Sequence, residues 1–205
     1  MPKLDPTEWE AANESTAGGD FRAMSPGVYM CEIKGVQTEW DTRDGHATSD
    51  EKQCVRVLLD VAEGEFAGEF SRPFYADKQY AHVVYMSWKQ TALGMLKHTF
   101  KALDEANPGF DSKAAFEADK WTMFVGKRCL VQFDGRERTN DRGYVNVNVR
   151  PERIVTADDN PKIKVELENG KKVDWDDYEA VNDAPAPQRS TAATAAAYDD
   201  SDVPF

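Results

Sequence analysis

Three stretches of the chain set arginine beside an aromatic ring: Trp40 with Arg43; then Arg56, Arg72, Phe74 and Tyr75; then Arg136, Arg138 and Arg142 with Tyr144. A guanidinium pairs with phosphate through a planar fork of donors and also stacks on flat rings. An aromatic side chain gives an unstacked nucleobase a face to lie on, at about 1 to 3 kcal/mol per base and with little regard to which base it is. The combination suits a flexible polyanion that carries flat bases. It is binding chemistry, and no reaction follows from it.

Motifs that would support a reaction are missing. The sequence holds no Gly-x-x-x-x-Gly-Lys-Ser/Thr loop, no Gly-x-Ser-x-Gly elbow and no His-Glu-x-x-His pair, and His46, His82 and His98 are far apart. Carboxylates are plentiful, but none cluster at strand ends beside a lysine as a magnesium nuclease requires. The chain is therefore expected to be no enzyme and to need no cofactor or metal. Cys31, Cys54 and Cys129 are odd in number and scattered, which fits buried thiols better than a disulfide framework or a zinc site.

Charge at first argues against nucleic acid, since the 205 residues carry a net charge of −12. Its distribution changes that. Residues 156–205 hold 12 acidic and 5 basic side chains, whereas residues 72–153 hold 14 basic and 10 acidic, a net of +4. A cationic surface on an acidic protein follows. No apolar stretch reaches the ~18 residues of a membrane span, and Met-Pro-Lys-Leu-Asp at the start is no signal peptide. A soluble, cytoplasmic protein without a membrane partner is expected.

The elements that position these residues are predicted as follows. Residues 1–26 read as a loosely packed arm. Residues 28–36 (VYMCEIKGV) form a first strand with a bulge at Gly35, and residues 40–52 a long polar loop in which Trp40 is an exposed ring. Residues 54–62 (CVRVLLDVA) form a second strand with Val55, Val57 and Leu59 inward and Arg56 outward. Residues 69–75 (EFSRPFY) return as a third strand, at an edge or bulge because of Pro73. Phe74 on such a strand has two readings, a core ring or a ring offered to a base. The pattern Ser87, Trp88, Gln90, Ala92, Leu96, Phe100, Leu103 gives a helix with a capping box, followed by a shorter helix over 111–121. Residues 128–133 and 144–149 alternate as strands four and five around a polar turn. There Arg138 and Arg142 are either ligand contacts or solvated turn residues.

Three strands, a helix and two strands match the oligonucleotide-binding (OB) fold, a mainly β five-stranded barrel with its helix between strands three and four. Its ligand face lies on strands two and three with the one-two and four-five loops. Another α+β topology with this element order stays open. The domain is expected over 27–155, with a hairpin extension over 156–183 signalled by Asn169-Gly170. Residues 184–205 are an Ala-, Pro-, Ser- and Thr-rich tether ending in a short acidic run. Asp199, Asp200 and Asp202 would steer a partner and Val203-Pro204-Phe205 would anchor it, unless the tail merely solubilises.

The end, YDDSDVPF, resembles the C-terminal tip of bacterial single-stranded-DNA-binding proteins, in which an OB domain is followed by a linker and an acidic tip closing on Pro-Phe. Ser201 within the acidic run and Val203 before Pro204 depart from that pattern. Gly19-Asp-Phe, Pro26-Gly-Val-Tyr29, Ala62-Glu-Gly-Glu-Phe-Ala-Gly68, Gly126-Lys127 and the stretch Asn140 to Tyr144 are similar in order to a phage-encoded family, formerly a domain of unknown function, regarded as phage single-stranded-DNA-binding proteins. These resemblances imply non-sequence-specific single-strand binding in phage replication, recombination or repair inside an infected bacterial cell. They also imply replication and recombination proteins as partners of the tip. A recombination mediator that anneals strands, and an acidic protein-interaction module mimicking DNA, remain alternatives. Free sheet edges leave homo-oligomers open.

Overall fold

The structure, a computed structural model, describes residues 23–42, 44–76, 78–139 and 145–182. Its frame is β1 (Gly27–Gln37), β4 (Cys54–Val61), β5 (Val83–Ser87), β6 (Arg128–Thr139) and β7 (Val145–Val155), joined antiparallel in the order β5-β4-β1-β6-β7. Helix α2 (Leu93–Ala106) and the short α3 (Ser112–Glu117) lie between β5 and β6 in the chain. The far half of β6 also takes a parallel partner, β8 (Lys164–Glu166). β8 forms a hairpin with β9 (Lys172–Asp174) around Gly170 at φ +80°, and α4 (Trp175–Asn182) follows. The extension expected after the domain is thus docked on the main sheet, which relieves an isolated hairpin of its marginal stability.

Period-two patterning explains the core. Val55, Val57 and Leu59 of β4 and Val131 and Phe133 of β6 are at most 1% exposed and meet Leu103 of α2 and Phe124. The bulge predicted in β1 is present, as a register shift between Ile33 and Gly35 against β4. Gly135 in β6 is required by space: a Cβ there would lie 2.6 Å from Val147 Cγ1 and 2.9 Å from Pro26 Cγ.

Three expectations are corrected. Residues 69–75 are not a strand but two 3-10 turns, Glu69–Ser71 and Pro73–Tyr75. The buried Asp60 carboxylate accepts the Phe70 N–H at 2.9 Å and the Ser71 hydroxyl, and Pro73 has no N–H to give a ladder, so local turns win. The third strand is instead Val83–Ser87. Ser87 does not cap the helix; its hydroxyl donates to the Gln53 carbonyl at 2.9 Å, and α2 starts six residues later. Finally, residues 40–52 are not a loop. They form the hairpin of β2 (Glu39–Thr42) and β3 (Gly45–Thr48), then one turn, α1 (Ser49–Lys52), closed by a Thr48–Glu51 capping box. The main sheet is also not closed into a barrel: β5 and β7 approach one another without hydrogen-bonding as strands.

Candidate nucleic-acid interface

The opening between β5 and β7 is a groove of about 640 Å³. One wall comes from the 3-10 turns, with Phe74, Tyr75 and Lys78; another is β5, with Val83 and Tyr85. The far wall is the β6–β7 hairpin, with Arg136 and Arg138 of β6 and Val147, Asn148, Val149 and Arg150 of β7. Pairing explains the polar part of that wall. Arg136 lies opposite Asn148 and Arg138 opposite Asn146, and cross-strand partners share a face.

Two large rings stand open here: Phe74 is 58% and Tyr85 52% exposed. Exposed aromatics of this size in one concavity make the groove the candidate ligand surface. Phe74 is held edge-on to Tyr75 at 5.0 Å, with the Lys78 ammonium 3.1 Å from its ring centroid. Tyr75 is half buried, and its hydroxyl bonds the Glu69 carboxylate. Burial and that neighbouring charge push its pKa up, so it stays a neutral donor.

Four cations line the groove, Lys78, Arg136, Arg138 and Arg150, against one carboxylate, Glu69. Glu69 is 2% exposed and ion-paired to Arg72 at 2.9 Å, which removes most of its field from the groove. Arg136 is shared with Glu166 at 3.3 Å. Arg138 and Arg150 have no ion pair among the described residues. The surface is cationic where the rings are.

The expected site residues fare unevenly. Phe74, Tyr75, Arg136 and Arg138 come together in the groove. Arg72 does not line it and is instead tied to Glu69. Trp40 is not an exposed loop ring: it is 8% exposed on β2, edge-on to Tyr85 at 6.4 Å. Arg56 does point away from Val55 and Val57, opposite Tyr85 in register, yet it too is covered, at 8% exposure. Its guanidinium sits 5.9 Å from the Trp40 centroid, its Nε has no hydrogen-bond partner, and no carboxylate lies within ion-pair distance among the described residues. Arg43, Arg142 and Tyr144, and the tip residues Asp199, Asp200, Asp202, Val203, Pro204 and Phe205, lie outside the described residues.

Tyr85, Lys78 and Arg150 were missed. Alternation of Val84 and Met86 inward would have put Tyr85 outward, had that short run been read as a strand. Arg150 closes the alternation VNVNVR on its polar side.

Other groups are structural. Burial pushes the Cys129 thiol up to about 12 and raises Cys31 as well; the two face each other across β1 and β6 as protonated packing groups. Among the described residues no cluster of His, Cys, Asp and Glu could hold a metal ion, and no helix is long and apolar enough to cross a membrane. No protein-family model matches the chain, and no curated protein matches it either.

Proposed function

We propose that the groove binds single-stranded DNA without sequence preference, as part of phage DNA replication or recombination, with the acidic tip recruiting partner proteins. The observation that carries this reading is that two open rings on separate walls, Phe74 and Tyr85, share one groove with four cations. Bases taken out of their stack lie on the ring faces. Arg138, Arg150 and Lys78 meet the phosphates between them, and Val147 and Val149 on the far wall accommodate sugar and base edges. Every base offers a π-face, so the contacts are indifferent to sequence.

The strand order supports the reading. β1, β4, β5, β6 and β7 follow the OB connectivity, with α2 between the third and fourth strands, and the groove opens on the third strand and the four-five hairpin. We read the sheet as an OB-like arrangement whose closing seam has become the ligand groove.

The test is a titration of tryptophan fluorescence with oligo-dT across salt. The three cations that meet phosphate, Lys78, Arg138 and Arg150, predict a slope of log affinity against log salt of about −2, a loss of roughly twenty-fold between 50 and 200 mM. Binding that ignores salt, or no binding at low salt, overturns the reading.

A further inference from the structure

We propose that the β8–β9 extension carries a second stretch of the nucleic-acid track: a strand leaving the groove passes Arg136 and Arg150 and lays its next phosphates on Lys164 and Lys172. This deepens the single-strand reading of the groove and rests on it. Arg136 and Arg150 line more than the groove. They also line a hollow on the neighbouring sheet surface, together with Asp134 and Glu152 of the β6–β7 hairpin, Lys164 and Glu166 of β8, and Lys172 of β9. The two concavities therefore share a border of two guanidinium groups, and a polyanion in one reaches the other without leaving cationic side chains.

Register explains why these side chains meet. Asp134 lies opposite Arg150, Arg136 opposite Glu166, and Glu166 opposite Lys172, and cross-strand partners share a face. Val165 is 0% exposed, so its neighbours Lys164 and Glu166 both take the other side of β8. Most carboxylates here are already engaged. Asp134 Oδ1 accepts the Gln132 side-chain amide at 2.8 Å and the Lys164 N–H at 3.2 Å, and Glu166 is held by Arg136 at 3.3 Å. Asp174, opposite Lys164, is held by Lys162 at 3.8 Å. Glu152 remains. Against it stand Arg150, Lys164 and Lys172, all exposed and without an ion pair among the described residues. No aromatic ring lines the hollow, so it holds a strand by its phosphates alone and adds salt dependence without adding base stacking.

The experiment compares three full-length chains: the natural sequence, a hollow variant (Lys164→Gln with Lys172→Gln) and a control (Lys97→Gln with Lys120→Gln) that loses the same charge at exposed lysines lining neither concavity. Each is titrated across salt with oligo-dT of about 4 and of about 16 nucleotides, the limits of site size on folds of this kind. The short strand fills the groove alone, and its slope of log affinity against log salt is about −2 in all three chains. The long strand adds two phosphate contacts, so its slope steepens to about −3.5 in the natural chain and the control and returns to about −2 in the hollow variant. A long-strand slope that the hollow variant leaves unchanged, or that the control flattens equally, overturns the proposal. Equal slopes for both lengths in the natural chain also overturn it, while the groove reading stands. If no chain binds either length, the groove reading and this proposal fall together.

Discussion

Arg56 lies with its guanidinium carbon 5.9 Å from the centroid of Trp40, buried, and without a carboxylate partner among the described residues. A buried cation without a carboxylate beside it among the described residues is unusual, because charge is ordinarily paired when taken from water. The indole serves as the partner and also braces Tyr85, to which it presents an edge at 6.4 Å. The exposed ring of the groove therefore rests on a buried one, and the buried one rests on a guanidinium.

That order of support predicts an asymmetry between two substitutions. Trp40→Ala removes a ring that is 8% exposed and should cost about 3 to 5 kcal/mol of unfolding free energy in a denaturant titration. Arg56→Met keeps the packing stem and breaks no ion pair, so stability should stay within about 1 kcal/mol of the natural chain. A loss of 3 kcal/mol or more from Arg56→Met would mean that the guanidinium is paired after all.

Gly135 gives a steric prediction. A Cβ at this position meets Val147, Pro26 and Val165 at 2.6, 2.9 and 3.0 Å, so Gly135→Ala should lose about 1 to 3 kcal/mol. Val147→Ala on the same background opens the tightest of them and should restore part of the loss. Thermal or denaturant unfolding of the single and double variants checks both; additive losses would count against the crowding account.

His82 sets a pH dependence. Its ring is 9% exposed beside Phe70, and burial lowers its pKa below the ordinary 6.5, with Asp60 opposing the shift and Arg56 adding to it. As pH falls through 6.5 the unfolded chain takes up a proton that the folded ring resists, so the unfolded state binds more protons and stability declines. The decline ends once the folded ring protonates, and above 6.5 the ring contributes no slope. Unfolding free energies from pH 7.5 downward should show this loss, and His82→Leu should flatten the portion just below 6.5. An unchanged profile in that variant would assign the slope elsewhere.

How far the sequence could be read depends on which physical signal each element carries. β1, β4, β6 and β7 bury one face, so alternation such as Val55, Val57, Leu59 against Arg56 exposes them directly. The 3-10 turns over 69–75 look like a strand because Phe70, Phe74 and Tyr75 have strand-forming types. What bends them is Asp60, ten residues away from Phe70 in the chain, and a long-range hydrogen bond leaves no local pattern. β5 is hidden for a related reason: Val83 and Val84 are both buried, so a five-residue strand shows no clean alternation before the helical period takes over. Trp40 was legible as a large ring in a polar stretch, but its burial required the β2–β3 hairpin to fold back towards Tyr85. The site was thus half readable: arginine and ring types were visible, and the side of the sheet on which they meet was not.

The central claim is most directly tested by removing the two open rings. Phe74→Ala and Tyr85→Ala take away exposed faces and should change unfolding free energy by no more than about 1 kcal/mol. Each should cost about 1 to 3 kcal/mol in oligo-dT binding, roughly five- to 150-fold, and the double variant more than either. A stable double variant that binds oligo-dT as tightly as the natural chain would contradict the account.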